Sequence, residues 1–236
     1  MFFLLSLNPL LILSAVLPAL ALLVYVYRKD RLEAEPIGLL LTLVAIGVVS
    51  TALASFAERV GIYIMDLFLE EDTLLYNGIL YFGVVAFAEE GFKYLVLKRK
   101  TWRAAAFNCR FDGIVYAAFV SLGFALWENI LYVTEYGFAT ALARAVTSVP
   151  GHCCFGVFMG FWYGLAGQAE REGDAARSSR YRVLAVVVPA LLHGAYDFLA
   201  TLEDARYAWL FLPFILAMFV IAFLVVRKTS AEDHYL

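Results

Sequence analysis

The chain has 236 residues, of which 63% are hydrophobic and 17% charged, with a mean hydropathy of +0.79 and a net charge of −3. The charged share lies well under the roughly 25% of a soluble domain, which excludes an ordinary water-soluble enzyme. The acidic balance excludes nucleic acid as a partner, because phosphate binding calls for a dense basic patch. Three cysteines, Cys109, Cys153 and Cys154, form no CxxC pair and no even set, so neither a zinc ribbon nor a disulfide scaffold is indicated. Cys109 sits in a basic loop and reads as a free thiol, with acylation as the alternative.

Apolar runs of about 20 residues recur along the length and predict an all-α integral membrane protein. The chain reads as a single polytopic domain over residues 1–236, a bundle of about seven transmembrane helices embedded in a lipid bilayer. The first span covers residues 2–27 and ends at Arg28, Lys29 and Arg31. Ala19-Leu20-Ala21 has some likeness to a signal-peptidase site, but the apolar run continues into a basic flank, which suits an uncleaved helix. The second span covers residues 36–57 and leads into an acidic outer segment carrying Glu58, Asp66, Glu70, Glu71 and Asp72. Within it, residues 61–69 suit a short interfacial helix or an extension of a neighbouring span.

The third span, residues 74–97, is closed by Lys98, Arg99, Lys100 and Arg103. The fourth opens at Asp112-Gly113 and reaches 134, and the fifth covers 145–168 with Pro150-Gly151-His152 in its first turns. A linker rich in Arg and Ser precedes the sixth, at 183–202, and the seventh covers 208–226 and ends at Arg227-Lys228. Fourteen loop and tail Lys and Arg then fall on one side, and only Arg59, Arg144 and Arg206 on the other. The positive-inside rule predicts N-out, C-in from that asymmetry.

Four of these spans carry buried ionisable groups: Glu89, Glu90 and Lys93 on the third, Glu128 on the fourth, His152 on the fifth, His193 and Asp197 on the sixth. A charge at the bilayer centre costs at least about 2.5–3.5 kcal/mol on insertion scales, so catalysis or ion handling is the default reason for such groups. Helical spacing puts Lys93 beside both Glu89 and Glu90, and His193 beside Asp197, an arrangement in which a carboxylate can orient an imidazole. Glu128 needs a partner, and Asn129 beside it points about 100° away around the helix. Pro150 and Gly151 suggest a loosened helix start whose free carbonyls near His152 could meet a substrate backbone, with a plain Pro-initiated helix as the alternative.

In order, Glu89-Glu90-Gly91-Phe92-Lys93 fits EExxK, Phe124 to Glu128 fits FxxxE, His152 with Gly160 fits HxxxxxxxG, and His193 to Asp197 fits HxxxD. The ordered set resembles the PrsW family of polytopic membrane proteases, related to the CAAX-processing and bacteriocin-immunity membrane proteins. It covers residues 80–199, inside a motif-bearing core at about 74–202. The resemblance implies a hydrolase of the bacterial plasma membrane acting as a site-1 protease. Its substrate would be a single-span membrane protein, such as an anti-sigma factor in a stress response.

Catalytic candidates are Glu89, Glu90, Lys93, Glu128, His152, His193 and Asp197. Glu89 or Glu128 would serve as general base, with His193 and Asp197 orienting water or oxyanion and Lys93 tuning the acids. A glutamate mechanism without cofactor is favoured, because no HExxH spacing demands a metal. Zinc held by Glu89, Glu128, His152 and His193 is the alternative. Two other classes compete: a proton- or ion-coupled transporter, and a non-catalytic sensor or immunity protein packing a partner through the stripe Gly156, Gly160, Gly164.

Overall fold

The computed structural model describes residues 9–71, 73–202 and 205–236, so residues 2–8 of the first expected span and Asp72 lie outside the described residues. The described chain folds into helices α1 (Pro9–Tyr27), α2 (Ile37–Asp66), α3 (Leu74–Gly78), a π-helical segment (Ile79–Val85), α4 (Ala86–Thr101), α5 (Asp112–Tyr136), α6 (Phe138–Val146), α7 (Ser148–Arg171), α8 (Ala175–Ala200) and α9 (Ala205–Ala231). An isolated pairing of Cys109 with Tyr235 is the only β-type contact among the described residues. Lipid offers no hydrogen bonds, so each spanning segment must pair its own backbone, which a helix does. Five helices, α1, α2, α5, α8 and the Trp209–Ala231 part of α9, are long and apolar enough to cross a membrane.

Helices α5 and α7 form the centre of the bundle. Small residues bring them together: a Cβ placed on Gly113 of α5 would lie 2.6 Å from the Gly160 carbonyl oxygen and 2.7 Å from the Gly164 nitrogen of α7. Such backbone contact maximises dispersion where no hydrophobic effect drives association. The glycine stripe of α7 is therefore used within the chain. Because protein rather than lipid surrounds most of α7, this helix can carry His152, Ser148 and its glycines with 17 of its 24 residues buried. Outer helices show the reverse pattern, with Leu41 of α2 and Val220 of α9 exposed on apolar faces.

Several boundaries differ from the sequence expectation. Helix α2 runs unbroken to Asp66, so residues 61–66 extend the span. The third expected span is composite, with seven π-wound residues between α3 and α4. Gly137, at φ +84°, ends α5 and reverses the chain into the short α6, which buries Ala141 and exposes Phe138, Leu142 and Val146. Helix α7 begins at Ser148, and Pro150 occupies its first turn, where a missing N–H costs nothing. The expected loosening there is not found. Gly151 N–H donates to the Thr147 carbonyl at 2.8 Å, and the His152 carbonyl accepts from Ser121 Oγ at 2.6 Å.

The basic loops gather at one end of the bundle. Ser230 Oγ donates to the Lys29 carbonyl, Arg171 to the Phe107 carbonyl, and Asn108 Nδ2 to Glu33 at 3.2 Å. Cys109 lies buried there, and burial, reinforced by Asp112 and Asp233, pushes its thiol up to about 12. Its neutral, enclosed sulfur donates to Asn108 Oδ1 at 3.1 Å, which leaves no access for acylation.

Candidate active site

Helix α4 contributes the charged cluster. Lys93 Nζ donates to Glu89 Oε2 at 3.1 Å, to Glu90 Oε1 at 2.7 Å and to His152 Nδ1 of α7 at 3.1 Å. All four residues are buried. The ammonium also lies 4.0 Å from the ring centre of Phe124 on α5, so the aromatic of the FxxxE pattern faces a cation. Lys93 can only donate, so His152 Nδ1 must accept and the ring proton sits on Nε2. Nε2 then donates to Glu128 Oε2 at 2.8 Å.

Glu128 has a second partner. Arg144 of α6 reaches its Oε2 from Nη2 at 2.8 Å, while Arg144 Nε donates to Asn129 Oδ1 at 2.9 Å. The guanidinium also lies 4.1 Å over the ring of Tyr132. Asn129 in turn donates to the Ala15 carbonyl of α1 at 2.8 Å. On the other side of Lys93, Glu90 Oε1 lies 3.0 Å from His193 Nδ1 on α8, and His193 Nε2 lies 3.3 Å from Asp197 Oδ2. Phe155 stacks on the His193 ring at 4.6 Å and meets His152 edge-on at 5.7 Å. A continuous polar chain thus runs Arg144, Glu128, His152, Lys93, Glu90, His193, Asp197 across five helices.

A cavity of about 490 Å³ opens onto this chain. Glu89, Glu128, His152, His193 and Asp197 line it, whereas Glu90 and Lys93, both 0% exposed, stand behind its wall. All seven residues singled out in the sequence come together. Two further charged residues line the cavity, Arg144 and Glu58. By sequence both fall in segments expected outside the bilayer. A signal for Glu58 did exist: Thr51, Ser55 and Glu58 make a polar stripe at helical spacing in an apolar helix, and all three face the cavity.

One ligand-bearing atom each from Glu89, His152 and His193 falls within 4.8 Å of the others. Two imidazoles and a carboxylate are a donor set that suits zinc. Glu128, expected in that set, is instead held by Arg144 and His152. Cys153 and Cys154 line a separate apolar groove between α1, α7 and α9, together with Pro150, so they and the proline lie away from the polar chain.

A family described as "PrsW family intramembrane metalloprotease" matches residues 35–226. Proteins named Protease PrsW align over nearly the whole chain: that of Bacillus subtilis (strain 168) is 36% identical over 94% of this chain and 97% of its own length. The Halalkalibacterium halodurans protein is 32% identical over 94% and 98%, and that of Geobacillus kaustophilus (strain HTA426) 35% over 93% and 92%. No solved structure matches. Five membrane-length apolar helices together with bacterial relatives of this kind make the protein a multi-pass protein of a bacterial cell membrane. The chain belongs to the PrsW family of intramembrane proteases.

Proposed function

We propose that the protein is an endopeptidase that cleaves a membrane-anchored protein, such as an anti-sigma factor, in the outer part of the bilayer. The observation that carries this reading is the cavity that collects Glu89, Glu128, His152, His193 and Asp197 from four helices. In this reading the composite α3–α4 segment and α7 complete seven spans within one catalytic domain, with the N-terminus outside and the basic loops in the cytoplasm. The cavity then opens towards the outer face, because Glu58, Arg144 and Thr201, which line it, come from the outward half of α2, from α6 and from the outward end of α8.

Glu89 is the favoured general base: it lines the cavity, and its ion-pair contacts, to Lys93 at 3.1 Å and to His193 Nδ1 at 3.9 Å, both fall on Oε2. It takes a proton from water as the oxygen attacks the scissile carbonyl, and later gives that proton to the leaving nitrogen. His193 is held through Nδ1 by Glu90, and its Nε2–H, which lies 3.3 Å from Asp197 without a hydrogen bond to it, is the donor that turns to the developing oxyanion. Glu90 and Lys93, out of reach behind the wall, act by holding these groups. Glu89, His152 and His193 are also the residues that would hold zinc, whose chemistry would be to polarise the carbonyl and acidify bound water. The Lys93 ammonium, 3.1 Å from both Glu89 and His152, already places a positive charge beside those ligand atoms, and this favours the metal-free glutamate reading.

The test is cleavage of single-span substrates by detergent-purified wild type, Glu89→Ala, Glu128→Ala and His193→Ala, each with and without a chelator. Cleavage lost in the variants and insensitive to chelation is the expected result. Loss on chelation with rescue by zinc transfers the role to a metal, and cleavage that survives all three substitutions overturns the site.

A further inference from the structure

A second cavity, of about 880 Å³, opens at the basic end of the bundle, where α4 ends and α8 begins. Lys98, Arg99, Lys100, Arg103 and Arg182 line it against a single carboxylate, Glu170. None of these five cations is engaged in an ion pair among the described residues, and the Arg182 guanidinium instead lies 5.5 Å from the ring centre of Trp102. A groove of about 420 Å³ adjoins this bowl, sharing Lys98 and Arg182 with it and walled by Tyr94, Val183, Val186 and Val187. Tyr94 lies one turn before Lys98 on α4, and the valines follow Arg182 on α8. Helices α4 and α8 run in opposite directions, so the groove climbs their seam from the charged bowl towards the middle of the bundle.

Basic residues at this end are what the positive-inside rule expects, and scattered lysines would need no other account. A concave set of unpaired cations that meets an apolar furrow at two shared residues is a different object. Its two compartments match the two parts of a lipid, a phosphate in the bowl and a hydrocarbon chain in the furrow. We propose that this cavity and groove bind one anionic phospholipid, with its phosphodiester among Lys98, Arg103 and Arg182 and one acyl chain along Val183, Val186 and Val187. A soluble phosphate would use the bowl and leave the furrow unused. The inference rests on the helices crossing a bilayer and is independent of the proteolytic reading.

The full-length protein in a neutral detergent is examined by native mass spectrometry and thermal unfolding with phosphatidylglycerol, phosphatidylcholine or glycerol phosphate. One phosphatidylglycerol per chain is expected to be retained and to raise the unfolding midpoint, while the other two probes do neither. Each interfacial Lys or Arg contributes about 1 kcal/mol to anionic lipid binding, so Lys98→Ala/Arg182→Ala should weaken retention at least about tenfold. Val186→Trp, which fills the furrow and leaves the cations in place, should also displace the lipid. If the double variant fails to fold, wild-type retention must still fall steeply with added salt. Equal retention of phosphatidylcholine, unchanged retention in both variants, or a salt-insensitive complex overturns the proposal. An equal response to glycerol phosphate would reassign the bowl to a soluble anion and overturn it as well.

Discussion

Lys93 is the residue on which the buried acids depend. Its ammonium reaches Glu89, Glu90 and His152 at once, and both Lys93 and Glu90 are fully buried. Removing one partner of a buried ion pair costs about 3–5 kcal/mol because a charge is left uncompensated, whereas removing both is often nearly neutral. Lys93→Met should therefore destabilise the protein in detergent by that amount, and Lys93→Met/Glu90→Gln should recover part of the loss while staying inactive. A single variant as stable as wild type would show that the network is not an ionic one. Arg144 acts through Glu128, which it holds with one arm of its fork while the other holds Asn129. Lysine keeps the charge and loses the fork. Arg144→Lys is expected to lower kcat about tenfold or more, the usual cost of removing an outer partner, with KM little changed. A wild-type kcat, or a change confined to KM, would reassign Arg144 to substrate binding. At this scale the sequence was most legible where it broke its own rules: Glu89, Glu128 and His193 stand out because charge is costly in an apolar run. Arg144 was hidden because it lies near the end of a short helix, where a charge needs no special reason, and Glu58 because the apolar run stops at residue 57 while α2 continues to Asp66.

Among the elements, the π-helical segment Ile79–Val85 has the clearest bearing on the site. It packs against α8 beside His193, and a Cβ added to Gly194 would lie 2.7 Å from Phe82 Cδ1 and 2.9 Å from Phe82 Cα. Part of that clash is with backbone, so rotation of the phenyl ring cannot relieve it. Gly194→Ala is expected to cost about 1–3 kcal/mol through overpacking and to reduce cleavage by displacing His193 from Glu90. Phe82→Ala added to it should restore only part of the stability, since the contact with Cα remains. Full stability of Gly194→Ala would mean that the segment moves freely on α8. None of this winding could be read in advance, because an apolar run looks the same whether it is wound with an i→i+4 or an i→i+5 pattern. Helix α6 was missed for a related reason: it is short, and Gly137 was the only mark of the reversal that creates it. The long spans were legible because roughly 20 apolar residues in lipid have one economical conformation.

Across the whole molecule, the basic end holds a second set of acids whose behaviour sets a pH dependence of stability. Asp30, between α1 and α2, is pushed up to about 7 by burial and by the neighbouring charges of Asp112 and Asp233. Glu35 is also raised to about 7, chiefly by burial, although the Tyr116 hydroxyl, 2.6 Å away, donates to it and opposes the rise. An unfolded carboxyl releases its proton near pH 4, whereas these two keep theirs in the folded protein until about 7. Between those values the folded state binds more protons than the unfolded one, so stability falls as pH rises. Their stabilising contribution is complete below about pH 4 and is lost as pH passes 7, opposite in sign to the acid lability of salt-bridged carboxylates. The unfolding midpoint in detergent is accordingly expected to drop between pH 5 and pH 8. Asp30→Asn, which cannot ionise, should flatten that slope and should be the more stable protein at pH 8. The difference between the two slopes reports Asp30 together with its electrostatic effect on Glu35, and equal slopes in the two proteins would show that Asp30 titrates alike in the folded and unfolded chains.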